Sequence, residues 1–83
     1  MNKQEIVAKV GQTIASTLDQ PNLRVTTRTT MDDVEGWDSF SHINIVVALE
    51  SEFGLKFQAA EIAGLRAVGD IVDLIEKRLA KRK

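Results

Sequence analysis

The chain has 83 residues and a formal net charge of −1, and 43% of its residues are hydrophobic. This length accommodates one domain with one small core, and the hydrophobic fraction is too high for a disordered segment. The absence of cysteine excludes a disulfide framework, a thiolate metal site and a cysteine nucleophile. We therefore predict a single domain over residues 1–83.

Charge is distributed unevenly along the chain. Residues 32–61 contain seven acids and one base, whereas residues 77–83 contain five bases and no acid. The acidic segment predicts partners with basic surfaces and argues against nucleic acid, whose phosphates it would repel. The basic end is typical of a solvated helix terminus that complements the helix dipole. No apolar run approaches the ~20 residues that span a bilayer, and the first residues are unlike a signal peptide, so we expect a cytoplasmic protein that does not insert into membranes. We also expect a monomer.

Helical periodicity appears first between residues 3 and 18. Apolar side chains recur there every four residues, at Ile6, Val10, Ile14 and Leu18. This spacing predicts an amphipathic helix that ends before Pro21. Residues 23–37 show no helical period and are predicted to form a long ordered loop. The side chains that would pin this loop to the core are Leu23, Val25, Met31 or Trp37.

A second helix is predicted from Ser39 to about Phe53. Asp38 is a strong N-cap candidate, because its carboxylate can accept an N–H from the first turn. Gly54 is expected to end the helix in the left-handed conformation. The boundaries of this helix are therefore marked at both ends by residues with a local physical preference.

Two further helical segments follow. Residues 59–63 are predicted to make one or two turns that stop at Gly64, and a longer helix starts near residue 68. Its apolar face consists of Val68, Ile71, Val72, Ile75 and Leu79. The predicted fold class is all-α: a small antiparallel bundle of three main helices and one short helix, with a long loop between the first and second helices.

The second helix carries apolar residues on two faces. One face contains Ile45, Val46, Leu49 and Phe53, and Phe40, Ile43 and Val47 lie roughly 130–150° away from it. The second face is either core, as in a central helix, or an exposed strip that partner proteins bind. In the latter interpretation the partner-docking residues, with an acidic rim, are Phe40, Ile43, Val47, Glu50 and Glu52.

The sequence contains little that indicates a catalytic site or a metal site. Ser39 and His42 lie three residues apart on the predicted helix, so a nucleophile pair is conceivable. The surrounding sequence lacks a G-x-S-x-G elbow, an evident carboxylate to orient the imidazole, and the bulk for a substrate pocket. The lone histidine and the scattered carboxylates match no metal-site spacing. We therefore predict that the chain has no metal site and is not an enzyme. A small hydrolase is the competing hypothesis.

The stretch Gly-Trp-Asp-Ser-Phe at residues 36–40 has the sharpest likeness to a known family. The chain resembles the acyl carrier and peptidyl carrier proteins, which typically show Asp-Ser-Leu at this place. The resemblance continues through residues 47–54, 61–62 and 65–72, in the order of that family's helices. It covers nearly the whole chain.

The resemblance implies a function centred on Ser39. In that family the serine at this position carries 4′-phosphopantetheine, which a phosphopantetheinyl transferase moves there from coenzyme A, and Asp38 flanks it as the helix cap. Acyl or aminoacyl groups are then bound to the prosthetic group as thioesters. Acyl-loading enzymes attach these groups, and acyl-transfer enzymes remove them. The alternative hypothesis is an unmodified helical interaction module that docks on a single partner protein.

Departures from the family pattern bear on the pathway. Ser41, Asn44 and Ser51 stand where carriers of fatty acid synthases often have acids, and the C-terminus is basic. Trp37 and Phe40 are more typical of dedicated carriers. We therefore predict a specialised lipid, polyketide or secondary-metabolite pathway rather than housekeeping fatty acid biosynthesis.

Overall fold

The structure is a computed structural model and describes residues 2–81. These residues form α1 (Lys3–Thr17), α2 (Ser39–Phe53), α3 (Ala59–Ala63) and α4 (Val68–Lys81). Within that range there is no strand, only an isolated bridge between Thr30 and Ala67. The prediction of an all-α bundle with three main helices and one short helix is confirmed. The last two residues of the predicted basic end, Arg82 and Lys83, lie outside the described residues.

Helix α1 begins with a reciprocal cap at Asn2. The Asn2 side chain accepts the N–H of Glu5 at 2.8 Å, and the Glu5 carboxylate accepts the N–H of Asn2 at 3.0 Å. Ile6, Val10 and Ile14 are buried, as the four-residue spacing predicts. One stripe of α1 therefore faces the core.

Helix α1 packs against both α2 and α4. Lys9 in α1 pairs with Glu52 near the end of α2 at 3.0 Å, whereas Gln20, just after α1, bonds to the carbonyl of Glu35, just before α2. The two helices therefore run in opposite directions. Arg78 in the last turn of α4 donates to the carbonyl of Lys56, so α2 and α4 end at the same end of the bundle.

The core is filled by apolar side chains from the three long helices and the segments between them. Burying one such side chain fully stabilises the fold by about 1.5–3 kcal/mol. The largest fully buried ones are Ile6, Ile14, Ile45, Leu49, Ile71, Ile75, Val10, Val46, Val68 and Val72. The stripes predicted for α1 and α4 and the first face of α2 thus meet in one cluster.

The long loop between α1 and α2 is pinned to this core by several side chains. Trp37 is buried, and Leu23, Val25 and Met31 pack partly buried against the core, as predicted. The structure adds a short 3-10 helix, Met31–Asp33, and buries Val34. Neither feature could be predicted from the sequence, because one turn of helix and one valine among acids produce no periodic pattern.

The same loop caps α4. The carbonyl oxygens of Thr27 and Thr29 accept the N–H groups of Gly69 and Val68 at 2.9 and 2.8 Å. The first N–H groups of a helix have no partner within the helix, so here the loop satisfies two of them. The threonine-rich part of the loop, residues 26–30, thus bonds to a helix terminus.

Candidate functional site

Ser39 is the first residue of α2, and its side chain is exposed. Asp38 caps the helix: its Oδ1 accepts the N–H of Ser41 at 2.9 Å, and its own N–H donates to the Oγ of Ser41 at 2.9 Å. This reciprocal capping box confirms the predicted N-cap. The hydrogen bonds from Ser41 hold the pKa of Asp38 below its ordinary value, so a carboxylate stands beside Ser39 at neutral pH.

The segment that leads into Ser39 is fixed from two directions. Gly36 has φ of +86°, a left-handed conformation that favours glycine. The Oγ of Ser41 donates to the carbonyl of Gly36 at 2.7 Å, and Nε2 of Gln20 donates to the carbonyl of Glu35 at 2.6 Å. The approach to Ser39 is therefore tied to α2 itself and to the end of α1.

Trp37 and His42 form a buried polar pair on either side of the helix start. The indole Nε1 of Trp37 donates to Nδ1 of His42 at 3.1 Å, and the rings stack with centroids 6.1 Å apart. His42 is buried and uses Nδ1 as an acceptor for Trp37, whereas Ser39 is exposed. His42 is thus not placed to serve as a base for Ser39, which argues against the hydrolase hypothesis.

The second apolar face of α2 is exposed. Phe40 is 80% exposed, Ile43 56% and Val47 57%, while Ile45, Val46, Leu49 and Phe53 are buried. Of the two interpretations of this face, the core interpretation is therefore wrong. We call Phe40, Ile43 and Val47 the apolar strip. It begins directly beside Ser39, and its role in partner docking stays a prediction.

The two glutamates assigned to the acidic rim have partners within the chain. The carboxylate of Glu50 accepts the N–H of Phe57 at 2.8 Å, and Glu52 pairs with Lys9. The Glu50 carboxylate thus anchors the segment that follows α2. Other exposed acids lie in the loop before Ser39, namely Asp32, Asp33 and Glu35.

Sequence reasoning missed the roles of Ser41 and His42. Ser41 stands three residues after Asp38, the position from which a polar side chain can return a bond to the N-cap. His42 shares the spacing of Val46 and Leu49, so the helical period places it on the buried face. Its bond to Trp37 had no such signal, because the loop conformation determines where the indole lies.

Residues 2–81 contain no group of three or more potential metal-ligating side chains. Over the same range, none of the helices has the length and apolar character needed to cross a bilayer.

Residues 8–75 match the sequence model of the family described as "Phosphopantetheine attachment site". The chain belongs to this family, that of the acyl carrier proteins. It is 37% identical over 78 residues to an acyl carrier protein of Thermotoga maritima, a match that covers 94% of the chain and 96% of that protein. It is 34% identical over 76 residues to a meromycolate extension acyl carrier protein of Mycolicibacterium aurum, covering 92% of the chain and 78% of the relative.

Solved acyl carrier protein structures have the same fold as this carrier. The solution structure of a holo acyl carrier protein from Geobacter metallireducens has a TM-score of 0.85 and 32% identity, over 93% of this chain and 88% of that one. The crystal structure of an acyl carrier protein from Thermotoga maritima has a TM-score of 0.87 and 26% identity, over 100% and 96%.

The prosthetic group of this carrier is 4′-phosphopantetheine, held covalently. The start of α2 fits such a group. Ser39 presents an exposed hydroxyl, so a long arm can be attached without displacing any core side chain. The positive end of a 15-residue helix dipole also favours a negatively charged phosphodiester at this position.

Proposed function

We propose that this acyl carrier holds an acyl or aminoacyl group as a thioester on 4′-phosphopantetheine attached to Ser39, and delivers it to partner enzymes. The observation that carries the proposal is the exposed hydroxyl of Ser39 at the capped start of α2, inside the matched residues 8–75. The prosthetic group supplies the thiol, which accommodates a chain without cysteine. The carrier itself catalyses no reaction.

The attachment step places simple demands on the chain. The Oγ of Ser39 forms a bond to the phosphorus that bears pantetheine, the pyrophosphate bond of coenzyme A breaks, and the adenine nucleotide leaves. The hydroxyl proton passes to a base of the phosphopantetheinyl transferase. The carrier contributes a fixed, exposed hydroxyl and the free end of a helix that favours the phosphate charge.

Intact-mass measurement tests the proposal. The purified chain is incubated with coenzyme A, Mg²⁺ and a broad-specificity phosphopantetheinyl transferase. We expect a gain of one phosphopantetheine group for the wild type and for Ser51→Ala, another exposed serine on α2, and no gain for Ser39→Ala. Modification of Ser39→Ala would contradict the proposed site. No gain on the wild type would favour the unmodified interaction module instead.

The apolar strip is proposed to dock on the transferase and on the acyl-loading and acyl-transfer enzymes. It lies beside Ser39 and exposes three large apolar side chains, which is uncommon on a surface without a partner. Such enzymes would present an apolar pocket for Phe40 with cationic residues around it, because exposed acids precede Ser39 in the loop. Glu50 and Glu52 remain candidates at the far end of the strip.

A specialised lipid, polyketide or secondary-metabolite pathway is proposed over general fatty acid synthesis. Within α2 the carboxylates are Glu50 and Glu52, both engaged within the chain. A relative is a meromycolate extension acyl carrier protein, which supports lipid use. If the proposal is correct, the modified chain should support a purified fatty acid synthase more slowly than a strongly acidic carrier modified to the same extent. Equal rates would contradict it.

The remaining proposals concern the state of the chain. Residues 1–83 are proposed to form one carrier domain that works as a cytoplasmic monomer and binds protein partners, not nucleic acid. Light scattering on the purified chain tests the monomer, and a nucleic-acid shift assay tests the absence of nucleic-acid binding.

A further inference from the structure

We propose that His42 is a positioning residue for the modification of Ser39 and acts through its hydrogen bond to Trp37. The inference rests on the proposed function, since it concerns the serine that would accept phosphopantetheine. His42 itself lies buried under the surface that presents Ser39, so it would contact neither coenzyme A nor the reacting oxygen. Its effect would come from holding the backbone on both sides of Ser39.

His42 is unusual for its location. It is the only buried polar or charged side chain within residues 2–81, at 7% exposure. Because Nδ1 accepts the indole N–H, it carries no proton, and the ring proton lies on Nε2. That Nε2 is buried and has no hydrogen-bond partner among the described residues. An apolar side chain at this position would avoid the cost of a buried donor without a partner. The bond to Trp37 is the interaction that a histidine supplies here and an apolar residue does not.

This bond closes a loop around Ser39. Trp37 lies two residues before Ser39, and His42 lies three residues after it, within the first turn of α2. The link therefore encloses Asp38, Ser39 and Ser41, the residues of the cap and of the candidate site. A displacement of residues 37–39 relative to the rest of α2 would therefore strain this bond and pull on the indole, which is only 4% exposed.

The other side-chain hydrogen bonds on this segment, including the capping box between Asp38 and Ser41, lie on the exposed side. The bonds from Ser41 to Gly36 and from Gln20 to Glu35 join groups on the exposed side, where water competes for the same donors and acceptors. The Trp37–His42 bond lies where water does not compete, and the stacked rings hold its geometry. We therefore infer that the Trp37–His42 bond is what fixes the position of Ser39 most closely.

Kinetics of the transferase reaction separate positioning from docking. The serine oxygen must meet the phosphorus at a defined distance and angle, so a looser Ser39 should slow the chemical step. The apolar strip is exposed on α2 and does not include Trp37 or His42, so the affinity for the transferase should change little. Breaking the bond should lower kcat by about tenfold, with KM changed less than about twofold.

Three variants make the test specific. His42→Leu and Trp37→Phe each remove one side of the bond but keep an apolar side chain in place. His42→Asn retains an acceptor oxygen near the position of Nδ1 and should recover most of kcat. Combining His42→Leu with Trp37→Phe should cost no more than either alone, because both remove the same interaction.

A control distinguishes positioning from loss of stability. Ile75 is fully buried in α4, outside the segment around Ser39, so Ile75→Val or Ile75→Ala can be chosen to match the Tm of His42→Leu. All variants are assayed at a temperature where circular dichroism shows them folded. NMR also measures how fast the indole proton of Trp37 exchanges with solvent. This exchange should be slow in the wild type and faster in His42→Leu.

The outcomes separate this inference from the proposed function. If the wild type is modified but His42→Leu keeps its kcat, the inference is wrong and the proposed function stands. The inference is equally wrong if the Ile75 control slows as much, or if His42→Asn recovers nothing. If the wild type accepts no phosphopantetheine at all, the proposed function fails, and the inference with it.

Discussion

Arg78 in α4 forms a hydrogen-bonded ion pair with Glu61 in α3, and both side chains are partly buried. Arg78 also donates to the carbonyl of Lys56, while Glu61 accepts the N–H of Gln58 at 2.9 Å and so caps its own helix. No residue of the five-residue α3 is buried. Arg78 thus ties the short helix and the segment before it to the last turn of α4.

This pair predicts a pH-dependent stability. The hydrogen bond from Arg78 holds the pKa of Glu61 below its ordinary value of 4.5. A carboxyl whose pKa is lower in the folded state stabilises the fold above its unfolded pKa, and this contribution is lost as the pH falls through the folded pKa. Glu61→Gln should therefore lower Tm at neutral pH, and the difference from the wild type should vanish in acid.

The exposed pair Lys3–Asp73, at 3.7 Å, provides the matched control. Asp73→Asn should change Tm much less at neutral pH, because both groups are more than half exposed and solvent screens them. Tm is measured by circular dichroism from neutral to acidic pH. A Tm difference for Glu61→Gln that stays constant across this range would show that the ion pair is not its cause.

Gly69→Ala should destabilise the fold through the close approach of the long loop to α4. A Cβ at this position would lie 2.8 Å from the carbonyl oxygen of Thr27, which is backbone and itself accepts the Gly69 N–H. Overpacking of this kind costs about 1–3 kcal/mol. Urea denaturation measures the free energy of unfolding.

Gly64→Ala is the contrasting substitution. Its Cβ would meet nothing nearer than the carbonyl of Glu61 at 3.7 Å, and Gly64 has φ of −86°, which alanine adopts without strain. We expect a change within about 1 kcal/mol, in the stabilising direction, because alanine restricts the unfolded chain. If both variants lower the free energy of unfolding equally, the close approach of Thr27 to Gly69 is not the cause of the loss.

Val47→Asp should weaken modification without unfolding the chain. Val47 is exposed in the apolar strip, so a charge there meets solvent in the free carrier and an apolar surface in the complex. We expect kcat/KM of the transferase to fall by about tenfold, which corresponds to ~1.4 kcal/mol. The adjacent Val46 is buried, and Val46→Asp should unfold the protein. If Val47→Asp also unfolds, or is modified as fast as the wild type, the docking proposal is wrong.

Transfer rates should depend moderately on salt. The segment 32–61 contains seven acids and one base, yet Glu50 and Glu52 in α2 are already paired within the chain. Charges at an interface rim mainly raise association rates, and salt screens them beyond about 8 Å at physiological ionic strength. The transferase kcat/KM is measured across a salt series beside that of a strongly acidic carrier. A slope as steep as that carrier's would show that more charges face the enzyme than we infer.

Much of the fold follows from local signals in the sequence. Asp38 and Gly54 mark the ends of α2 because a carboxylate cap and a left-handed glycine act on neighbouring backbone groups. The four-residue spacing of α1 and the apolar face of α4 predict their buried stripes for the same reason, since helical geometry is local. Ser39 stands out because it directly follows the cap within the stretch that resembles the carrier family.

The tertiary structure decided the features that depend on distant residues. The helical period shows that α2 has two apolar faces, but only the packing of α1 and α4 shows which one remains exposed. The capping of α4 by the carbonyls of Thr27 and Thr29 likewise requires the folded chain. The bonds from Trp37 to His42 and from Phe57 to Glu50 span few residues, but they depend on the conformations of the segments before and after α2, which follow no regular period. The sequence by itself determines the helices and the candidate serine, because those depend on short-range interactions. How firmly that serine is held, and which surface surrounds it, is determined by contacts between segments that no local pattern encodes.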